Sequence, residues 1–186
     1  MFFLKMKKIK VSYSMLIQKF HSCTKNFILS SCKGECCCQL PNEKCFLVAI
    51  HSSETEKVKK LGGFIENNIL KNKTSCQFLT KEGLCSIHLE KPFGCSISPF
   101  TLTDDDTLII RDRYYNFKCF KIRKKRKYAY LAFKKSLENI FGPKNTKKLI
   151  DKVKKERKDF IFMISEDIYK KIKGNSAIRK KRISTL

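Results

Sequence analysis

The sequence predicts a small α+β domain, mainly helical, in which an irregular cysteine-rich part is clipped together by metal and C-terminal helices pack onto it. Three observations predict this. Ten cysteines occur in 186 residues and all stand at or before Cys119. Apolar residues after Cys119 recur at helical spacing. Between them, residues 76–100 are too interrupted by Gly and Pro to hold long regular elements. At this length, one domain of about 100–150 residues with an appendage is the default. The break falls after Cys119, giving a cysteine-cluster domain over 1–119 and a basic helical region over 120–186.

Taken in order, residues 1–20 open apolar, but Lys5, Lys7, Lys8 and Lys10 interrupt any signal-peptide h-region. Ser53 and Glu56 have capping-box spacing, and Val58, Leu61, Ile65 and Ile69 follow at helical intervals, so a helix is expected over about 54–71 despite Gly62-Gly63. Residues 101–110 read as two short strands around the turn Asp104 to Asp106. Ala129, Phe133, Leu137 and Phe141 form a helical stripe stopped by Gly142-Pro143, and Leu149, Val153, Phe160, Ile164 and Ile168 form the next. The tail from Gly174 is expected to fray.

Charge narrows the partners. Lys and Arg number 41 against 17 Asp and Glu, a net +24. Residues 118–186 carry 24 of those cations and 6 of the acids, so +18 of the charge lies there. The run Lys121 to Tyr128, with Phe117, Phe120, Tyr128 and Tyr130 nearby, is the pattern of a phosphate-binding patch, and nucleic acid is the alternative functional reading. No apolar run approaches the roughly 18 residues of a membrane span. The chain is therefore expected to be cytoplasmic and not a membrane protein. Asp104 to Asp106 lack the glycine and distant glutamate of an EF-hand and read as a solvated turn. His21 and His51 have no partner spaced for a catalytic pair, so the sequence assigns no reaction and no catalytic residue.

The cysteines carry the chemistry. In a reducing cytosol, such a density points to metal more than to disulfides. Cys32, Cys36, Cys37 and Cys38 crowd around Gly34, with Cys23 upstream and Cys45 downstream; a second group is Cys76, Cys85 and Cys95, with Cys119 further on. The spacing matches neither a zinc finger nor a bacterial ferredoxin and establishes only that two groups are able to converge.

The segment SCKGECC, followed by CQFLTKEGLCSIHLEKPFGCSISPF from Cys76 to Phe100, resembles the YkgJ-like cysteine-cluster family, also called CxxCxxCC proteins. The matched positions are Cys76, Phe78-Leu79, Gly83, Cys85, Ile87-His88, Lys91-Pro92, Cys95-Ser96 and Pro99. The resemblance spans about residues 23–119. It implies a zinc or iron–sulfur site built from Cys32, Cys36, Cys37, Cys76, Cys85, Cys95 and Cys119. Three departures stand out. Leu29 occupies the place of the opening cysteine, Lys91 and Ser96 replace the family's arginines, and a triple cysteine replaces its pair, leaving Cys38 spare. Where the family has Tyr, this chain has His88, which is expected to pack beside the loop. A similar pattern occurs in flagellin lysine N-methylases, but no glycine-rich loop follows a strand here to cradle such a methyl donor.

Overall fold

The computed structural model describes residues 5–41, 43 and 46–184, with the side chains of 178–184 excepted. Cys45 lies outside the described residues. The chain is a mixture of helices and strands, with more helix than strand, and its contacts divide it into two compact units. The division does not follow the sequence break after Cys119. Met1–Ser22 joins Ile97–Lys173, and Cys23–Ser96 joins Gly174–Leu186.

The reason for this division in the first unit is a strand that the charge pattern hides. Met6–Val11 pairs antiparallel with Phe160–Ser165 along its whole length, from Met6 opposite Ser165 to Val11 opposite Phe160. On its other edge it pairs parallel with Thr107–Ile110, which pairs antiparallel with Phe100–Leu102. Lys8 and Lys10 alternate with Ile9 and Val11, both fully buried, which is the period-two pattern of a half-buried strand, while Lys7 falls on the same face as Ile9 and Val11. Phe160 and Ile164 bury from the neighbouring strand, while Ile161 and Met163 face outward. Thus Phe160 and Ile164 continue no helix. The helix Pro143–Glu156 ends at Arg157, a left-handed residue (φ 50°), and the chain leaves as a strand.

The first C-terminal stripe divides into Ala129–Ala132 and Lys134–Phe141, and Gly142 (φ 78°) then lets Pro143 start the next helix. Their apolar faces, with Leu137, Ile140, Leu149 and Val153 buried, close over the sheet's aromatics. Phe20 packs against Phe120, Phe133 and Tyr115, and Phe133 meets Phe100 edge-on. The turn at Asp104–Asp106 is tied down and not simply solvated. Tyr169 donates its hydroxyl to Asp106, and Lys173 reaches both Asp106 and the Thr103 carbonyl. Glu166–Ser184 is one helix, so the backbone does not fray at Gly174.

In the second unit the expected helix over 54–71 is short. It runs from Thr55 to Lys60 and stops at Gly62-Gly63; the His51 ring accepts from the Ser53 N–H and caps the preceding turn Ser52–Glu54, while the helix itself has no side-chain cap and no Ser53–Glu56 capping box forms. Ile65–Glu66 and Ile69–Leu70 instead form a hairpin whose two-residue loop is Asn67-Asn68, both left-handed (φ 49° and 60°). Val48–Ala49 adds a third strand. The core is small: Phe46, Val48, Ile50, Val58, Leu70 and Phe78. Cys76, Cys85 and Cys95 pack against it half-buried.

Candidate metal centre

The first cysteine loop is shaped by two consecutive left-handed residues. Thr24 caps Lys25–Phe27 by accepting from the Phe27 N–H, and the chain winds through Ile28–Cys32 before Lys33 (φ 49°) and Gly34 (φ 70°) reverse it. Cys32 is left buried on one side of the reversal, and Cys36 and Cys37 follow in a single tight turn, Glu35–Cys37. The second loop is a narrow turn. Ser86 N–H donates to the Phe78 carbonyl and Thr80 N–H to the Leu84 carbonyl, with Gly83 (φ 87°) at the tip. Cys95 sits in the short helix Phe93–Ser96, whose first N–H is bound by the Glu54 carboxylate at 2.8 Å.

These loops are joined directly. Cys76 N–H donates to the Cys37 carbonyl at 2.8 Å, Gln39 N–H donates to the Thr74 carbonyl at 2.7 Å, and Cys38 bridges to Ser75. At the tips, Gly34 and Gly83 meet so closely that a Cβ on Gly83 would lie 2.5 Å from the Lys33 carbonyl carbon. Leu29, at the place of the missing family cysteine, is half-buried.

The nine described cysteines are thiols. Cys36 and Cys37 sulfurs stand 4.0 Å apart. Shared hydrogen bonding with Cys36, then burial, raises the Cys37 thiol far above the ordinary range, and Cys95 and Cys76 lie within electrostatic reach of it. Burial raises Cys76, with Cys85, Cys36 and Cys38 adding to it and the Phe78 N–H opposing. Burial likewise raises Cys32, which receives N–H groups from Glu35 and Gly34. Cys23 is exposed as a residue, yet its sulfur is desolvated and pushed up to about 12, with Cys36 and Cys32 next to it. Cys38 donates to the Gly34 carbonyl at 3.8 Å.

Six of the seven expected ligands, Cys32, Cys36, Cys37, Cys76, Cys85 and Cys95, therefore belong to one unit, and Cys23 joins their neighbourhood. The seventh, Cys119, is buried in the first unit, its carbonyl accepting the His21 N–H. His88 is exposed, and burial followed by Lys91 lowers it. Among the described residues, no group of three or more Cys, His, Asp or Glu is already spaced to hold a metal ion. The donor set fits a soft metal in kind: it is dominated by thiols, with the Glu35 carboxylate in the same turn, and two of the thiols receive backbone N–H groups of the sort that hold metal-bound sulfur in place. Sequence reasoning missed the interlock at Gly34 and Gly83, whose only sequence signal is a glycine in each cysteine loop. No helix among the described residues is long and apolar enough to cross a membrane. No family model, curated protein or solved structure matches the chain.

Proposed function

We propose that the cysteine loops of the second unit bind zinc or an iron–sulfur cluster through Cys36, Cys37, Cys76, Cys85 and Cys95, with Cys32 beside them. The observation that supports this reading is the Cys76 N–H to Cys37 carbonyl bond at 2.8 Å, which joins the backbones of the two cysteine loops at two of these residues. The resemblance to the cysteine-cluster family supports the same ligands. Thiolates select soft metals, so calcium and magnesium are poor candidates. The bound metal supplies a cross-link, worth about 10–16 kcal/mol of apparent binding free energy in structural zinc sites. It would hold residues 76–100, where the local core is small. Drawing the sulfurs onto the ion requires loop movement and loss of the thiol protons.

The test is anaerobic purification followed by elemental analysis and a visible spectrum, which separates colourless zinc from coloured iron–sulfur. Cys85→Ser and Cys95→Ser lower bound metal and increase protease cleavage within residues 76–100. Cys38→Ser does so less, because its thiol is turned to the Gly34 carbonyl. Equal metal in all three variants sinks the ligand assignment.

A further inference from the structure

The first unit carries 27 Lys and Arg against 10 Asp and Glu, and six of these cations line two neighbouring hollows that share Ile17. One, of about 590 Å³, is lined by Lys19, Lys121, Arg123 and Arg126 with Tyr115 and Phe120. The other, of about 500 Å³, is lined by Tyr13, Tyr128, Tyr130, Lys154 and Arg157. Both volumes fall within the roughly 300–1,000 Å³ of ligand clefts. Among the described residues, no carboxylate lines either hollow. Among the described residues, none of these six cations is ion-paired, whereas Lys10, Lys152 and Lys173 elsewhere in the unit are.

The hollows are built and not incidental. Lys19–Phe20 pairs antiparallel with Lys127–Tyr128, which brings the N-terminal segment against the basic run. Arg126 donates to the carbonyls of Phe120 (3.0 Å) and Lys19 (3.4 Å), holding its guanidinium 5.9 Å from the Phe120 ring centroid. Tyr128 is 41% exposed and stacks on Tyr130 with the planes 15° apart, so an aromatic stack begins inside the protein and ends at the surface. The basic run and Tyr128 are legible in the sequence. Lys19, Tyr115, Tyr13 and Arg157 join them only through the fold, and Phe117 is buried in the core.

We propose that these two hollows bind single-stranded nucleic acid, with backbone phosphates on the lysines and arginines and bases stacking at Tyr128 and beside Tyr115 and Phe120. Charge complementarity selects a polyanion, and aromatic rings interleaved with cations select one that carries flat unpaired bases. A duplex keeps its bases stacked inside and presents only phosphate to concave aromatics. The proposal uses no thiol and stands or falls apart from the metal reading.

The test is fluorescence anisotropy of the full chain with labelled oligo(dT) and oligo(U) of roughly 15 nucleotides, beside a hairpin duplex with the same number of nucleotides. Single strands bind at least about tenfold more tightly than the hairpin, and Tyr128→Ala weakens them about fivefold or more, the range of one lost base–aromatic stack. Lys121→Glu with Arg123→Glu flattens the salt dependence by about 1.4 in log–log slope, two contacts at about 0.7 each on a single strand. Lys147→Glu with Lys148→Glu, the same charge change on exposed residues that line neither hollow, weakens binding much less. Equal binding of the hairpin, equal loss in the two double variants, equal competition by polyglutamate, or no binding at low salt overturns the proposal.

Discussion

Replacing Gly83 by Ala tests whether the two cysteine loops depend on their contact. Gly83 sits at φ 87°, where an added Cβ strains the backbone by about 1–2 kcal/mol. That Cβ would also lie 2.5 Å from the Lys33 carbonyl carbon, 2.6 Å from its Cα and 2.7 Å from its oxygen. All three are backbone atoms, so no side-chain rotation relieves the clash, and overpacking of this kind costs about 1–3 kcal/mol more. The expected loss is about 2–5 kcal/mol, a large part of a domain's usual 5–15. Gly62→Ala is the internal control: its φ is 89°, but nothing lies within 4 Å of an added Cβ, so only the strain applies. Urea unfolding of the metal-free protein measures both, and metal content after anaerobic purification reads the site. Gly83→Ala unfolds at clearly lower urea than Gly62→Ala and retains less metal, because the Lys33–Gly34 reversal that carries Cys32 and Cys36 must back away from the loop that carries Cys76 and Cys85. Two variants with equal midpoints and equal metal would refute the claim that this contact organises the site.

The Asn67-Asn68 turn gives a second expectation: Asn68→Ala lowers stability by about 1 kcal/mol and Asn68→Gly does not, since both loop residues are left-handed and glycine adopts that region without cost; denaturant midpoints measure it. A third concerns pH. Cys23, Cys32, Cys37 and Cys76 are all raised above the ordinary 9.0, so above pH 9.0 the folded metal-free chain keeps protons that the unfolded chain releases. Its stability therefore falls as pH climbs from 9.0 toward the folded value of about 12 for Cys23, and the Cys23→Ser variant shows a smaller fall in urea midpoint over that range. Metal affinity moves the opposite way, rising with pH because each thiol must lose its proton to bind, as competition with a chelator at several pH values would measure.

What could be read from the sequence divides along physical lines. Local signals held where one residue type dictates the backbone: Gly142-Pro143 stops one helix and starts the next, and the acidic turn at Asp104–Asp106 separates two paired strands. Helical spacing failed where it was coincidental. Val153 and Phe160 are seven residues apart, but Arg157 turns left-handed between them, and Phe160–Ser165 finds its hydrogen bonds on Met6–Val11, far away in sequence. The local signal for Met6–Val11 is short, since only Lys8 to Val11 alternate and Lys7 interrupts the apolar face. The same limit applies to the cysteines. Six of the seven cysteines that the motif groups fall in one unit and Cys119 does not, while the backbone pairing of Cys37 with Cys76 and the meeting of Gly34 with Gly83 are tertiary contacts with no periodic signature.

The redistribution of the chain between the two units also changes how its two strongest composition signals bear on function. Read along the sequence, thiols end at Cys119 and charge begins there, so one region would be metal-binding and the next basic. Read by contacts, Met1–Ser22 brings five lysines and no acid to the basic unit, while Cys119 leaves the thiol set and becomes part of an apolar core with Phe117. The basic unit is then +17 and the thiol unit +7, so the charge contrast survives and gains the cation Lys19, which lies 104 residues before Arg123 in sequence but lines the same hollow. A composition bias toward lysine would spread cations over every exposed face, and it does supply Lys144, Lys147 and Lys148, which line neither hollow. It gives no reason for unpaired Lys and Arg to surround hollows that, among the described residues, no carboxylate lines, beside an exposed tyrosine stack. That local coincidence of chemistry, more than the total charge, is what sets the hollows apart from an ordinary solvated surface.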